Sequence, residues 1–399
     1  MSVNSPLARR MPGFDARHAT RRARRTRVAA ALVVVLALAA SLFLFLGHRA
    51  TPHPRSSRPP LVHRATPPRV VSTLAPWRLG APISRTVVMA GAGPGNQLVI
   101  LGGATTGGLT ASGAFSLDVA TGTLTHVGDL MATDADAAGA VIGGRDVVFG
   151  GTSASPSTTA SGPASATASV QVLAAAPTTG QGPTATAVPV ATSLGTLPQA
   201  RAAAVAVTAG TTTYLVGGHS AVGPDPSIVA TVDGQHFVAV ASLSLPVDFP
   251  AVAVDGDTLF VFGGVALTGS DAGRPVSTIE VVDLKTHRVT DAARLPEPLT
   301  GAAAVVLGRR VLLAGGDTAA PTGPDTGSAA ASAPATPTTS SVSTVWSFDA
   351  VSDTCTQVGV LPVAVAHAGV AVLGSTAWLV GGETDGTPVS SVQSLVTAP

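Results

Sequence analysis

Six times along this chain an apolar run ends in two glycines. The runs are LVILGGAT at 98–105, VVFGGTS from 147, YLVGGHS from 214, LFVFGGVA from 259, VLLAGGDT from 311 and WLVGGET from 378. The pairs are Gly102–Gly103, Gly150–Gly151, Gly217–Gly218, Gly263–Gly264, Gly315–Gly316 and Gly381–Gly382. Their first glycines lie 48, 67, 46, 52 and 66 residues apart. Self-similarity at a period near 50 residues is the signature of radially repeated β-structure. A single pair could suggest a phosphate-cradling loop, but six copies without a following helix or lysine remove that reading.

Each repeat offers four strand-like segments. A small-residue strand comes first, as in RAAAVAVT from 201, GAAAVVLG from 301 and HAGVAVLG from 367. The strand ending in the glycine pair follows. A third ends near an aspartate and a turn, as at Asp118, Asp283 and Asp349. The fourth runs into an exit such as FVAVASLSLP from 237 or TQVGVLP from 356. Alanine and glycine suit a strand crowded against an axis, and paired glycines allow sharp turns and close chain approach. The two long gaps coincide with Ser/Thr/Ala/Pro tracts at 152–169 and 317–341, both directly after a glycine pair. These tracts read as insertions on one face.

The sixth repeat has a third strand but no fourth. VVSTLAPWRLGAP at 70–82 resembles the fourth-strand segments and precedes the first repeat. The fold expected is therefore all-β, a six-bladed β-propeller over 70–399 whose N-terminal strand closes the last blade.

These motifs resemble kelch repeats: an apolar run, Gly-Gly, a variable loop, then a turn aspartate, matched at Asp118, Asp283 and Asp349 and loosely at Asp233. The tyrosine and tryptophan of that pattern are almost wholly missing, since the chain has one Tyr and three Trp. The resemblance implies a propeller acting as a binding platform. Copper radical oxidases built on kelch-like propellers need two tyrosines, two histidines and a cross-linked cysteine. One Tyr and one Cys, Cys355, cannot supply that set.

Ahead of the repeats the chain is of another kind. Residues 1–27 form a basic tail, with eight arginines between Arg9 and Arg27. Residues 28–46, VAAALVVVLALAASLFLFL, carry no charge, and as a helix of about 28 Å they match the hydrocarbon core of a bilayer. The arginines place the N-terminus in the cytoplasm and the propeller outside it, in a bacterial cell envelope. Residues 47–69 hold six prolines and five arginines and read as an extended linker. The alternative is a cleaved signal peptide, with ALA at 37–39 as the cleavage site.

Residues 1–69 carry 13 Arg against one acid, while 70–399 carry 10 Lys and Arg against 21 Asp and Glu. An acidic body does not suit nucleic acid, which needs cations to displace its counterions. The expected partners are the membrane, through the apolar segment, and a protein or glycan. Asp134 with Asp136, and Asp255 with Asp257, stand at i, i+2, a spacing too common to mark a hard-cation site. No metal, cofactor or catalytic residue is expected. Candidate binding residues stand at or just before the first strands, where a propeller has its central mouth. They are Arg85, Asp134, Asp136, Arg201, Asp248 and His367. The alternative function is a carbohydrate-active or cation-dependent enzyme, or a lectin, using the same mouth.

Overall fold

The computed structural model describes residues 69–398 apart from 92–94, 107–110, 133, 154–164, 174–188, 309 and 320–338. The basic tail 1–27, the apolar segment 28–46 and all of the linker 47–69 but its last residue lie outside the described residues. Among the described residues no helix is long and apolar enough to cross a membrane.

The chain forms six antiparallel four-stranded sheets. In the third, Val205–Ala209, Thr212–Val216, Ser227–Thr231 and Val238–Ser242 follow one another from the inside outwards. The first, fourth and fifth sheets repeat that order, starting at Val87–Ala90, Ala251–Asp255 and Ala303–Leu307. The second runs from Ala138–Ile142 to Thr192–Thr196. The sixth has Gly369–Leu373, Thr376–Val380 and Val392–Thr397, and its outer strand is Val70–Leu74. That strand pairs from Val70 opposite Thr397 to Leu74 opposite Gln393, so the two ends of the propeller close the ring together. Chain entry at Arg69 lies beside Ala398, at the end of the sheet where Thr376 begins its second strand. The glycine pairs end the second strands at the opposite face.

Six buried clusters hold the blades together, one at each junction. Leu79, Val88, Leu98, Ala371 and Val392, for example, join the sixth blade to the first. Burying both faces of every sheet explains the nearly continuous Val, Ala and Leu runs. The turn aspartates behave as read from sequence: each accepts two backbone N–H groups just beyond it. Asp118 takes those of Ala120 and Thr121, Asp283 those of Lys285 and Thr286, and Asp349 those of Val351 and Ser352. Asp233 does the same for Gln235 and His236.

The glycine pairs turn out to be staples between blades. The second glycine donates its N–H to a carbonyl of the segment entering the next blade. Gly151 reaches Arg201 at 2.8 Å, Gly264 reaches Leu299 at 2.8 Å, and Gly382 reaches Ile83 at 2.9 Å. All six pairs make this bond. The approach leaves no room for a side chain: a Cβ on Gly381 would stand 2.1 Å from the Ile83 oxygen. Three third-strand side chains add staples that the sequence pattern does not reveal. Gln171, Glu280 and Gln393 accept the backbone N–H groups of Met131, of Ser244 and Leu245, and of Val363 in the preceding blade.

The tracts after Gly151 and Gly316 are narrower than the sequence suggests. Thr152–Ser153 pairs with Ser165–Ala166, and Asp317–Ala319 pairs with Thr339–Ser341. Both are extensions of a small hairpin that other blades also build after their glycine pair, as at His219–Pro224 and Glu383–Pro388. The 67-residue gap has a second source, the segment 174–188 between the third and fourth strands of blade two, at the opposite end of that sheet.

Gly381 and Gly374 share a positive φ, 63° and 61°, but nothing lies within 4 Å of a Cβ on Gly374. Gly374→Ala should therefore cost only the left-handed backbone penalty, about 1 kcal/mol. Gly381→Ala should cost well over about 2 kcal/mol, because the Ile83 carbonyl must also move. Urea unfolding of both variants checks the contrast.

Candidate functional site

The residue two positions before each innermost strand is held in the left-handed region in every blade. The six are Arg85, Asp136, Ala203, Phe249, Gly301 and His367, with φ of 52°, 57°, 60°, 50°, 60° and 52°. Each donates its backbone N–H to the carbonyl of its counterpart in the preceding blade. Asp136 bonds to Arg85 at 3.3 Å, Ala203 to Asp136 at 2.9 Å and Phe249 to Ala203 at 2.9 Å. Gly301 bonds to Phe249 at 3.0 Å, His367 to Gly301 at 2.8 Å, and Arg85 to His367 at 3.0 Å. The result is a closed ring of six hydrogen bonds around the axis. For a non-glycine residue this conformation costs about 1–2 kcal/mol, so five of the six positions are strained.

A second set of side chains borders this ring. The residue immediately after each glycine pair faces the residue just before the ring position. His219 pairs with Ala202, Val265 with Asp248, Asp317 with Thr300, and Glu383 with Ala366. The fold thus delivers Arg85, Asp136, His219, Asp248, Phe249, Asp317, His367 and Glu383 to one mouth. Below it, a cavity of about 170 Å³ runs between innermost strands lined by alanine, valine and glycine.

Arg85 reaches across this mouth. Its Nε donates to Glu383 at 2.9 Å, its Nη1 lies 3.8 Å from Asp136, and its guanidinium stands 5.5 Å from the Phe249 ring centre. His367 meets the Phe249 ring edge-on at 4.7 Å, packs over Gly301, and lies 3.9 Å from Asp317. Glu383 also accepts from Ser84 at 2.9 Å, and Asp317 from Ser341 at 2.7 Å. Asp248 accepts Nδ1–H of His219 at 2.7 Å, leaving Nε2 of that ring free on a half-exposed side chain.

Burial pushes the Asp136 and Asp248 carboxyls above the usual range, outweighing the pull of Arg85 on the first and of His219 on the second. For Glu383 burial acts the same way, but Arg85 and the hydrogen bonds win and hold it below. Burial, reinforced by Arg85, keeps His367 below the imidazole range and therefore uncharged at neutral pH. Among the described residues no three His, Cys, Asp or Glu are grouped to hold a metal ion.

Of the sequence candidates, Arg85, Asp136 and His367 lie on the ring and Asp248 beside it. Asp134 and Arg201 do not reach the mouth, which corrects the sequence reading. Both stand two residues before a ring position, where the other blades carry Ile83, Val247, Leu299 and Val365. The carbonyl there serves the glycine staple, and the side chain points into the junction between blades. Arg201 is 3% exposed and is held by Asp225, Ser227 and the Gly217 carbonyl. Asp134 is also 3% exposed, and its Oδ1 crowds Gly151 without a donor. Phe249, His219, Asp317 and Glu383 escape the sequence reading. For three of them a signal exists in the repeat: the residue following each glycine pair always stands opposite the residue just before the ring position.

No protein-family model matches this chain, and no curated protein matches it. Among solved structures it is similar to YjhT, at 15% identity and a TM-score of 0.60, over 81% of this chain and 97% of that one. At that identity the likeness shows the fold: this is a six-bladed β-propeller.

Burial and the nearby Asp136 raise the Asp134 carboxyl to about 8. The folded protein therefore holds a proton that the unfolded chain releases near pH 4, and stability falls as pH rises from about 4 to 8. Asp134→Asn should raise Tm more at pH 8 than at pH 5, as measured by scanning calorimetry at both values. In the same assay Ala203→Gly should add about 1 kcal/mol by relieving the left-handed strain at a ring position that carries only a methyl group.

Proposed function

We propose that this protein is a membrane-tethered binding platform, displayed outside the cytoplasm, that engages a partner through the mouth face of its propeller. The carrying observation is the ring: one backbone position, repeated six times, presents Arg85, Asp136, Phe249 and His367 around a single opening. Convergent polar groups at a concave, partly apolar mouth are what a binding site requires. Arg69, where the described chain begins, lies at the face opposite the mouth. Both hairpins that carry the inserted tracts also stand on the mouth side, where they would border a bound partner.

The kelch-like repeat pattern supports the same reading, since propellers of that type act as interaction modules. Cys355 does not offer an activated nucleophile: burial, with Asp353 nearby, pushes its thiol up to about 11. The enzyme alternative draws on one specific feature, the His219–Asp248 pair, an imidazole oriented by a carboxylate through Nδ1.

Two exposed valines allow a direct test in full-length protein in its native membrane. Val222, 86% exposed, tips the hairpin after Gly218 on the mouth face, and Val351, 98% exposed, lies in a turn on the opposite face. A photo-cross-linking residue at Val222 should yield adducts, and one at Val351 should not. Adducts from Val351 alone, or from neither, would sink the proposal.

A further inference from the structure

We infer that the mouth takes an organic cation, an alkylammonium or alkylguanidinium group, seated between Asp136 and Asp248. This rests on the mouth being the binding face and names the chemistry it receives.

The first argument is hydrogen-bond accounting. Three carboxyl groups from three blades, Asp136, Asp317 and Glu383, act on the one guanidinium of Arg85, and Asp248 from a fourth blade feels the charge of Asp136. Glu383 takes Ser84 and Arg85, both on Oε1, and Asp317 takes Ser341 on Oδ1 and Thr339 on Oδ2. Asp248 gives Oδ2 to His219, and Asp136 has a long contact of Oδ2 with Thr152 at 3.5 Å. The Oδ1 atoms of Asp136 and Asp248 are both buried and accept no hydrogen bond, the first lying 3.8 Å from Nη1 of Arg85. Asp248 as a residue is only 8% exposed. A buried acceptor without a donor costs about 1–3 kcal/mol, and more when charged, so a donor brought into the cavity beside Asp136, with Asp248 close by, relieves that cost.

The second argument concerns which donors fit. An anion would bring further oxygens against oxygens. Among the described residues the geometry lacks three ligands grouped for a bare metal ion. Ammonium and guanidinium groups are donors only, and they suit carboxylates. Asp136 lines the cavity together with Phe249 and the alanines of the inner strands. Those surfaces suit an alkyl stem, and a cavity of this volume holds roughly six carbon atoms. Arg85 shows the principle within the chain: its guanidinium lies over Phe249 between Glu383 and Asp136. The propeller as a whole carries 21 acids against 10 bases from residue 70 onwards, which draws cations towards it.

Isothermal titration of the full-length protein in detergent with agmatine, which carries both cationic groups on a four-carbon stem, tests the inference. Saturable one-to-one binding is expected. Asp136→Asn and Asp248→Asn should each weaken it about tenfold or more, as loss of a charge-assisted hydrogen bond does. Arg85→Ala should strengthen it, because the competing internal cation is gone; this opposite sign cannot come from damage to the fold. A peptide with one arginine flanked by glycines, run beside agmatine, distinguishes a protein side chain from a free amine as the source: the tighter of the two identifies it. No binding of either probe, equal binding by the Asn variants, or tighter binding of acetate than of agmatine would overturn the inference. If the Val222 cross-links persist while no cation binds, the platform reading stands and the cation reading falls. If agmatine binds as expected but cross-links form only at Val351, the reverse holds.

Discussion

The structure depends on six backbone hydrogen bonds that run in a closed circle around the axis, from each blade to the one before it. Each joins residues held at positive φ, and five of the six are not glycine. The strain at those positions, of order 1–2 kcal/mol each, persists only because the ring closes. Closure in turn requires that the sixth blade be complete, and it is completed by Val70–Leu74 from the other end of the propeller. The glycine staples form a second circle further out. Between the two circles each entering segment is fixed at two points, and this sets the direction in which every ring side chain leaves the backbone.

That arrangement separates framework from function. The ring uses only main-chain groups, and its six positions carry Arg, Asp, Ala, Phe, Gly and His. The residue after each glycine pair is Ala, Thr, His, Val, Asp or Glu. These twelve positions flank a ring of hydrogen bonds that main-chain groups alone make. Here they bring several carboxyls to one arginine, two histidines and a phenylalanine. The consequence is a mouth rich in acceptors over an apolar channel.

Much of the architecture was legible from the chain itself. The glycine pairs gave the number of blades, because close approach to a neighbouring carbonyl admits no Cβ and so writes the same two letters each time. The turn aspartates were legible for a similar reason, since a short side chain must accept the two N–H groups just beyond it. The site was legible only in part. Arg85, Asp136, Asp248 and His367, read from their place before the first strands, stand on or beside the ring. Asp134 and Arg201, drawn from the same neighbourhood, were misplaced. A polar residue near a strand start does not declare whether it faces the axis or the blade junction. Two residues of offset decide it, and only the turn at the ring position fixes that offset.

What the sequence determined by itself is the repeat: six blades, an all-β ring, and a borrowed strand to close it. These follow from local requirements on φ, on turn capping and on strand alternation, each of which selects residue types. What the tertiary structure alone decided is which side chains meet. Arg85 on the first blade and Phe249 on the fourth are 164 residues apart and share no motif, yet they touch across the mouth. Contact across the axis depends on where the closed ring aims each Cβ, and no local pattern in the chain encodes that direction.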